Sequence, residues 1–128
     1  MVALTEPTKT HAFTVCLKDD AAGIERYKAY HAAPWPEIVP WLRTCGVLDM
    51  KIYLRGRRLF MHLVTTESFD PETGFKRIEE LPAAREWNEI MYPLQTPAPE
   101  AGPNEWWAAM DLIFDMQAHR SNSSEDEL

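Results

Sequence analysis

The feature that most restricts the fold is a pair of apolar runs joined by a short turn. Residues 47–54 and residues 59–66 are both largely apolar, and only residues 55–58, which include Gly56, separate them. This spacing is typical of a β-hairpin, because glycine accepts the backbone conformations that reverse the chain. The sequence therefore predicts two neighbouring antiparallel strands in the middle of the chain.

A strand and two helices are predicted before this hairpin. Residues 13–17 alternate apolar and polar side chains, as a half-buried strand does, and from Asp20 onward the apolar residues recur at helical spacing. Pro34 and Pro36 interrupt the helix, because proline lacks the amide hydrogen that a helix interior requires. A second short helix is predicted to end at Gly46.

After the hairpin, residues 75–91 predict a helical stretch that is interrupted or bent near Pro82. Residues 93–103 contain four prolines and a glycine, and we expect this linker to run extended over the surface. The periodicity of residues 106–116 fits a strand or a helix, and their length and aromatic side chains favour a strand. Residues 117–128 are polar and acidic, so we expect a disordered tail.

The predicted order is strand, helices, strand, strand, helices, strand. This order is that of a ferredoxin-like α+β domain, in which a four-stranded antiparallel sheet carries its helices on one face. We expect residues 1–116 to form this single domain. The other face of the sheet would expose a large apolar patch, so the sequence predicts a homodimer that packs sheet to sheet.

Charge and cysteine content restrict the possible functions. A net charge of -7 argues against a nucleic-acid partner, which requires a basic surface. The sequence has neither an export signal nor a run of about 18 apolar residues, so we expect no membrane association. Cys16 and Cys45 lack metal-ligand spacing and are interpreted as reduced, buried thiols of a cytoplasmic protein.

The greatest concentration of chemically versatile side chains lies in residues 27–37, which contain two tyrosines, a histidine, a tryptophan and two prolines. Tyr27 and His31 are one helical turn apart and are predicted to share a helix face. The prolines that follow fix where this helix ends, and so where the histidine points. Taken alone, a histidine on a mostly apolar helix face is more often structural than catalytic.

Short motifs spread over residues 13–116 form a recognisable pattern. They are Tyr27-x3-His31-x3-Trp35-Pro36-Glu37, Ile52-Tyr53-Leu54, Leu59-Phe60, Arg85-Glu86-Trp87 with Met91, and Trp106-Trp107-x2-Met110-x3-Phe114. This pattern resembles the L-rhamnose mutarotase family. The resemblance implies a dimeric α+β barrel whose carboxy-terminal strand reaches across to the partner. It also implies interconversion of the α and β anomers of a 6-deoxy sugar, without a metal or an organic cofactor.

The resemblance also implies roles for individual residues. The acid/base histidine of the family falls on His31, its helix tyrosine on Tyr27, and the first of two adjacent tryptophans on Trp87. Two positions depart from the pattern, because Met50 replaces a site tyrosine and Asn88 replaces the second tryptophan. A buried polar group left unpaired costs about 1–3 kcal/mol, so these changes alter which sugar hydroxyl can be bound. L-fucose is therefore an alternative candidate, beside L-rhamnose, for the substrate of this chain.

Mutarotation requires one group that accepts the proton of the anomeric hydroxyl and one that donates a proton to the ring oxygen. Histidine, with an ordinary pKa of about 6.5, suits this chemistry near neutral pH. Two other functions are left open by the sequence. One is a monooxygenase or haem-handling protein of the dimeric α+β barrel type, with His31 or His62 as an axial ligand. The other is a non-catalytic sugar-binding module.

Overall fold

A computed structural model of the chain describes residues 7–119. Nine helices and strands follow one another within this range. They are β1 (Thr8–Leu17), α1 (Ala21–Ala32), α2 (Ile38–Thr44), β2 (Val47–Arg55), β3 (Arg58–Thr66), α3 (Pro71–Ile78), α4 (Pro82–Met91), β4 (Gln95–Thr96) and β5 (Ala108–Ala109). Tyr92–Leu94 and Met116–His119 form short 3-10 turns.

The predicted hairpin is confirmed. β2 and β3 pair in antiparallel register up to Arg55 and Arg58, and Gly56 in the turn has a φ of 61°. This positive φ favours glycine, because a Cβ atom disfavours the left-handed region. The apolar residues of β3 also alternate in burial, so that Leu59 and Leu63 lie fully inside the protein.

The sheet has the strand order β2-β3-β1-β4, and β5 pairs with β1. All of these pairings are antiparallel, and β1 is paired with β3 along most of its length. The helices pack on the face that carries Val15, Leu17 and Leu59, where Tyr27 and Trp87 complete the core. The arrangement confirms the predicted ferredoxin-like α+β protomer.

Prolines and a glycine set the helix boundaries, as the sequence predicted. α1 ends at Ala32, and α2 begins only after the two prolines that follow it. Gly46, just after α2, has a φ of 102°. The helical stretch around Pro82 is interrupted rather than bent, because α3 ends at Ile78 and α4 begins at Pro82. Each of the two helices has a proline in its first turn, where the missing amide hydrogen costs nothing.

The prediction of a strand over residues 106–116 is wrong except at Ala108 and Ala109. The Met110 amide still donates to the Ala12 carbonyl, but residues 111–115 have no regular structure. Continued pairing would place this apolar segment beside the exposed, polar beginning of β1 at residues 8–10. That end of β1 offers no apolar surface on which the segment could pack.

The linker over residues 93–103 is only partly a surface segment. Gln95 and Thr96 pair with the end of β1, and Gln95 and Ala98 are buried, so the prediction fails there. Of the predicted acidic tail, residues 117–119 belong to a 3-10 turn, and residues 120–128 lie outside the described residues.

The expected state of the cysteines is confirmed, since Cys16 and Cys45 are free and buried. Within residues 7–119, no helix is long and apolar enough to cross a membrane. The predicted cytoplasmic location stays a prediction.

Candidate functional site

A cavity of about 990 Å³ lies between the helices and the sheet. All five residues predicted for the site line it, which brings together α1, β2 and α4. They are Tyr27, His31, Met50, Trp87 and Asn88. Their roles stay predictions, but the structure gives these residues a common space that a small ligand can enter.

The imidazole of His31 has a defined tautomer. Its Nδ1 lies 2.8 Å from the backbone carbonyl oxygen of Tyr27. A carbonyl oxygen can only accept a hydrogen bond, so Nδ1 carries the hydrogen and Nε2 of the neutral ring keeps a free lone pair. The hydrogen bonds of residues 7–119 give Nε2 no protein partner, and it is therefore available to a ligand in the cavity.

The surroundings of His31 favour the neutral ring. Burial lowers the pKa of His31 from its usual 6.5, and the hydrogen bond to the Tyr27 carbonyl opposes this effect in part. The ring is also held on two sides. It stacks on the Tyr27 ring, with the ring centroids 4.3 Å apart, and it meets the Trp87 ring edge to face, with the centroids 5.2 Å apart. Nε2 can thus accept a proton near neutral pH from a fixed position.

A chain of hydrogen bonds lies behind Tyr27. Its hydroxyl oxygen accepts a hydrogen bond of 3.1 Å from Nε2 of Gln95, and Oε1 of Gln95 accepts one of 2.7 Å from the Trp106 indole. Burial raises the pKa of Tyr27 to about 12, although the bond from Gln95 acts in the opposite direction. The Tyr27 hydroxyl is therefore protonated at neutral pH.

A second polar group surrounds Glu79, the residue that follows the end of α3. Nδ2 of Asn88 donates to Oε2 of Glu79 at 2.7 Å, and the Tyr92 hydroxyl donates to the same oxygen at 3.2 Å. Since a carboxylate accepts only, the Asn88 amide must present its nitrogen to Glu79 and keep its Oδ1 as a free acceptor. Asn88 thus offers the cavity an acceptor where the rhamnose pattern has a tryptophan.

Met50 contributes an apolar wall. It is half-buried on β2, opposite Leu63 of β3, and packs against the core. A thioether is only a weak hydrogen-bond acceptor, so this position cannot supply the hydroxyl of the tyrosine it replaces.

The polar and aromatic members of the cavity wall that were not predicted as site residues include Glu79, Tyr92, Gln95 and Trp106. Gln95 falls in the proline-rich linker, where an amide suggests a surface position, and its burial results from pairing with β1. The only sequence signal for Gln95 is that a large amide side chain lies between two aromatic motifs, which is uncommon.

The alternative ligand His62 lies apart from this site. It stands on β3 between Met61 and Leu63, which face the core, and it does not line the cavity. The part of the chain that the structure describes contains no group of three or more His, Cys, Asp or Glu side chains arranged to hold a metal ion.

Comparisons with known proteins agree on one family. The family model of L-rhamnose mutarotase matches residues 10–116. The chain is 38% identical over 112 residues to a UPF0734 protein of Dictyostelium discoideum, which covers 84% of this chain and 90% of the relative. It is 32% identical over 104 residues to an L-fucose mutarotase of Xanthomonas campestris pv. campestris, covering 80% and 83% of the two chains.

An L-rhamnose mutarotase of Paraburkholderia phymatum is 31% identical over 98 residues, covering 77% of this chain and 86% of the relative. Among solved structures, an L-rhamnose mutarotase of Formosa agariphila superposes with a TM-score of 0.57 at 19% identity, covering 84% of this chain and 98% of the other. That structural likeness supports the fold. The comparisons give no support to a monooxygenase or a haem-handling protein.

Proposed function

Because the chain belongs to the L-rhamnose mutarotase family, we propose that its cavity interconverts the α and β anomers of a 6-deoxyhexose, with His31 as the acid/base group. The observation that carries the role of His31 is its hydrogen bond to the Tyr27 carbonyl. This bond fixes the hydrogen on Nδ1 and leaves Nε2 open to the cavity. A histidine retained only for packing would need no free nitrogen at a cavity wall.

The reaction follows from this geometry. Nε2 of His31 takes the proton of the anomeric hydroxyl, a carbonyl forms at C1, and the bond from C1 to the ring oxygen breaks as that oxygen gains a proton. Rotation about the C1–C2 bond then presents the other face of the aldehyde. Closure on that face returns the proton from His31 to the new anomeric hydroxyl, so the histidine acts first as a base and then as an acid.

Trp87 suits the apolar side of a sugar. It lines the cavity while its ring is packed against His31, Tyr30 and Trp35. A pyranose presents a surface of carbon-bound hydrogens to which the face or edge of an aromatic ring is complementary. The methyl group of a 6-deoxyhexose enlarges the apolar part of such a ligand.

Polarimetry tests the proposed reaction. A freshly dissolved single anomer of L-fucose or L-rhamnose should reach its equilibrium rotation faster in the presence of the chain, in proportion to chain concentration. Sugar binding without this acceleration would favour the non-catalytic module. No acceleration with either sugar would overturn the proposed function.

We propose that Met50 and Asn88 set the choice between the two sugars. Combining Met50→Tyr with Asn88→Trp restores the rhamnose pattern and should raise kcat/KM for L-rhamnose relative to L-fucose by about 10-fold, as expected for one buried polar interaction of about 1–3 kcal/mol. The exposed Arg55, on β2 and not part of the cavity wall, provides the control Arg55→Tyr. If the double variant leaves the ratio of the two kcat/KM values unchanged, other residues determine the selectivity.

We also propose that the chain forms the homodimer implied by the family resemblance. The apolar side chains after β5 support it, since Leu112 is 74% and Ile113 93% exposed, and Phe114 is exposed as well. A second subunit would remove this apolar surface from water.

Ile113→Glu should therefore weaken the dimer, because dimerisation would bury the introduced charge. Sedimentation equilibrium is expected to show a dimeric parent chain and a variant shifted towards the monomer. Asp111→Asn, in the same segment, provides a control that adds no charge. A monomeric parent at micromolar concentration would contradict this assignment.

A further inference from the structure

The orientation of the Gln95 side chain is determined by Trp106. The indole nitrogen of tryptophan can only donate a hydrogen bond, and it lies 2.7 Å from Oε1 of Gln95. The amide oxygen of Gln95 is therefore committed to Trp106. Its nitrogen must face the other way, towards Tyr27, which lies 68 positions earlier in the chain.

This orientation determines what the Tyr27 hydroxyl can do. Nε2 of Gln95 donates to the Tyr27 hydroxyl oxygen, so that oxygen acts as the acceptor in the pair. The hydroxyl hydrogen must then point elsewhere, and the hydrogen bonds of residues 7–119 provide no protein acceptor for it. Tyr27 lines the cavity, and both members of the pair are buried, with Tyr27 4% and Gln95 3% exposed.

We propose that Gln95 and Trp106 are positioning residues that direct the Tyr27 hydroxyl hydrogen to the ring oxygen of the sugar, so that Tyr27 is the proton donor that complements His31. This inference rests on the proposed mutarotase function. It assigns the group that serves the ring oxygen. It also gives a task to Gln95, which lies outside the motifs of the family resemblance, and to Trp106, whose motif carried no assigned role.

The positions of the two groups suit a coupled proton transfer. Tyr27 and His31 are one helical turn apart and their rings stack at 4.3 Å, so both groups lie at the same wall of the cavity. The anomeric hydroxyl and the ring oxygen of a pyranose are bonded to the same carbon. Two neighbouring side chains can therefore reach both oxygens at once.

The protons balance in this scheme. His31 Nε2 gains the proton of the anomeric hydroxyl, the electron pair of that O–H bond forms the carbonyl, and the C1–oxygen bond pair is protonated by Tyr27. The open-chain sugar thus faces an imidazolium and a phenolate. Closure reverses each transfer, because Tyr27 recovers its proton from the ring-closing hydroxyl while His31 returns its own.

Gln95 has a second task in this step. Because the pKa of Tyr27 is about 12, its phenol stays protonated at neutral pH and gives up the proton only in the transfer to the ring oxygen of the sugar. The Gln95 N–H group already points at the phenol oxygen and stabilises the negative charge as it develops there. Such preorganised donors are most effective in a site that excludes water.

Replacing Gln95 with glutamate tests the direction of the hydrogen bond while preserving side-chain shape. A carboxylate accepts from Trp106 and also from Tyr27, so the Tyr27 hydroxyl would turn away from the sugar. In polarimetric assays, Gln95→Glu should lower kcat about 10-fold or more at pH 7.5, with KM changed less than about threefold. The deficit relative to the parent should shrink as pH falls and the carboxyl becomes protonated.

Two further variants separate this role from simple packing. Gln95→Met removes both hydrogen bonds at similar volume, and Trp106→Phe keeps a ring but removes the donor that orients Gln95. Both variants should lower kcat several-fold. Thermal melts check that this loss of activity is not caused by unfolding. Tyr30→Phe on the same helix removes a tyrosine hydroxyl outside the cavity and should leave kcat unchanged.

The result that would overturn the inference is a kcat within about twofold of the parent for Gln95→Glu and for Trp106→Phe, in folded proteins. A Gln95→Glu deficit that does not change with pH would equally contradict it. If the parent itself accelerates no anomer exchange, the proposed function fails instead. The two failures are therefore distinguishable in one set of assays.

Discussion

Replacing His31 with alanine is expected to lower kcat for anomer exchange by about 10²–10⁴-fold, the range typical of a lost acid/base group. The side chain lines the cavity with Nε2 free, and the alanine variant leaves the sugar without that proton acceptor. Initial rates by polarimetry measure the effect. KM should change much less, because the apolar wall around the sugar remains.

His62→Ala is a matched control, since it removes a histidine of β3 that does not line the cavity. This variant should retain the activity of the parent. Added imidazole should restore part of the activity of His31→Ala, because the deleted ring leaves space of its own shape. Equal kcat values for the parent and His31→Ala would show that another group carries the proton.

The pH dependence of the parent chain is expected to report the same histidine. The neutral ring is the form that accepts the first proton, and burial lowers the pKa of His31 below its usual 6.5. Activity should therefore be constant between neutral pH and the Tyr27 pKa of about 12, and it should fall as pH drops through the lowered pKa of His31. A midpoint above 6.5 in kcat/KM would contradict a buried neutral imidazole.

Trp87→Ala is expected to reduce the free energy of unfolding by about 3–5 kcal/mol, the usual cost of deleting a buried tryptophan. Trp87 is 9% exposed and meets the rings of Tyr30, His31 and Trp35 at 5.7, 5.2 and 5.3 Å. Its loss leaves a cavity where α1 and α4 meet. Urea denaturation measures the change as a shift of the midpoint at constant slope.

Trp87→Phe is the matched comparison, because it keeps an aromatic ring. It should reduce the free energy of unfolding by less than half as much as Trp87→Ala does. The alanine variant should also lose activity, since one of the two rings that hold His31 in place is missing. A loss of less than about 1 kcal/mol for Trp87→Ala would mean that the site collapses around the deletion, and that Trp87 does not support α1.

The central fold was predictable because its signals are local. The turn at Gly56 and the prolines at the starts of α3 and α4 act on their own stretch of backbone, whatever the rest of the chain does. The short strands β4 and β5 were not predicted. Each pairs only two residues with β1, so their existence depends on an edge supplied by a strand about 80–95 positions away.

The candidate site also has one part that local sequence signals predict and another part that they do not. Tyr27 and His31 are recognisable from helical spacing and from a motif, and the structure places them at one cavity wall. The bonds from Trp106 to Gln95 and from Gln95 to Tyr27 connect distant segments. No pattern within either segment reveals such a contact, because it is created by the pairing of β4 with β1.

Saturation-transfer NMR on L-fucose and L-rhamnose at anomeric equilibrium is the most direct test of sugar mutarotation by His31. Saturating the α-anomer signal should attenuate the β-anomer signal of at least one of these sugars when catalytic amounts of the chain are present. The rate constant should rise in proportion to chain concentration and return to the uncatalysed value with His31→Ala. Exchange at the uncatalysed rate for both sugars, with the folded parent chain, would contradict mutarotase activity on these 6-deoxy sugars.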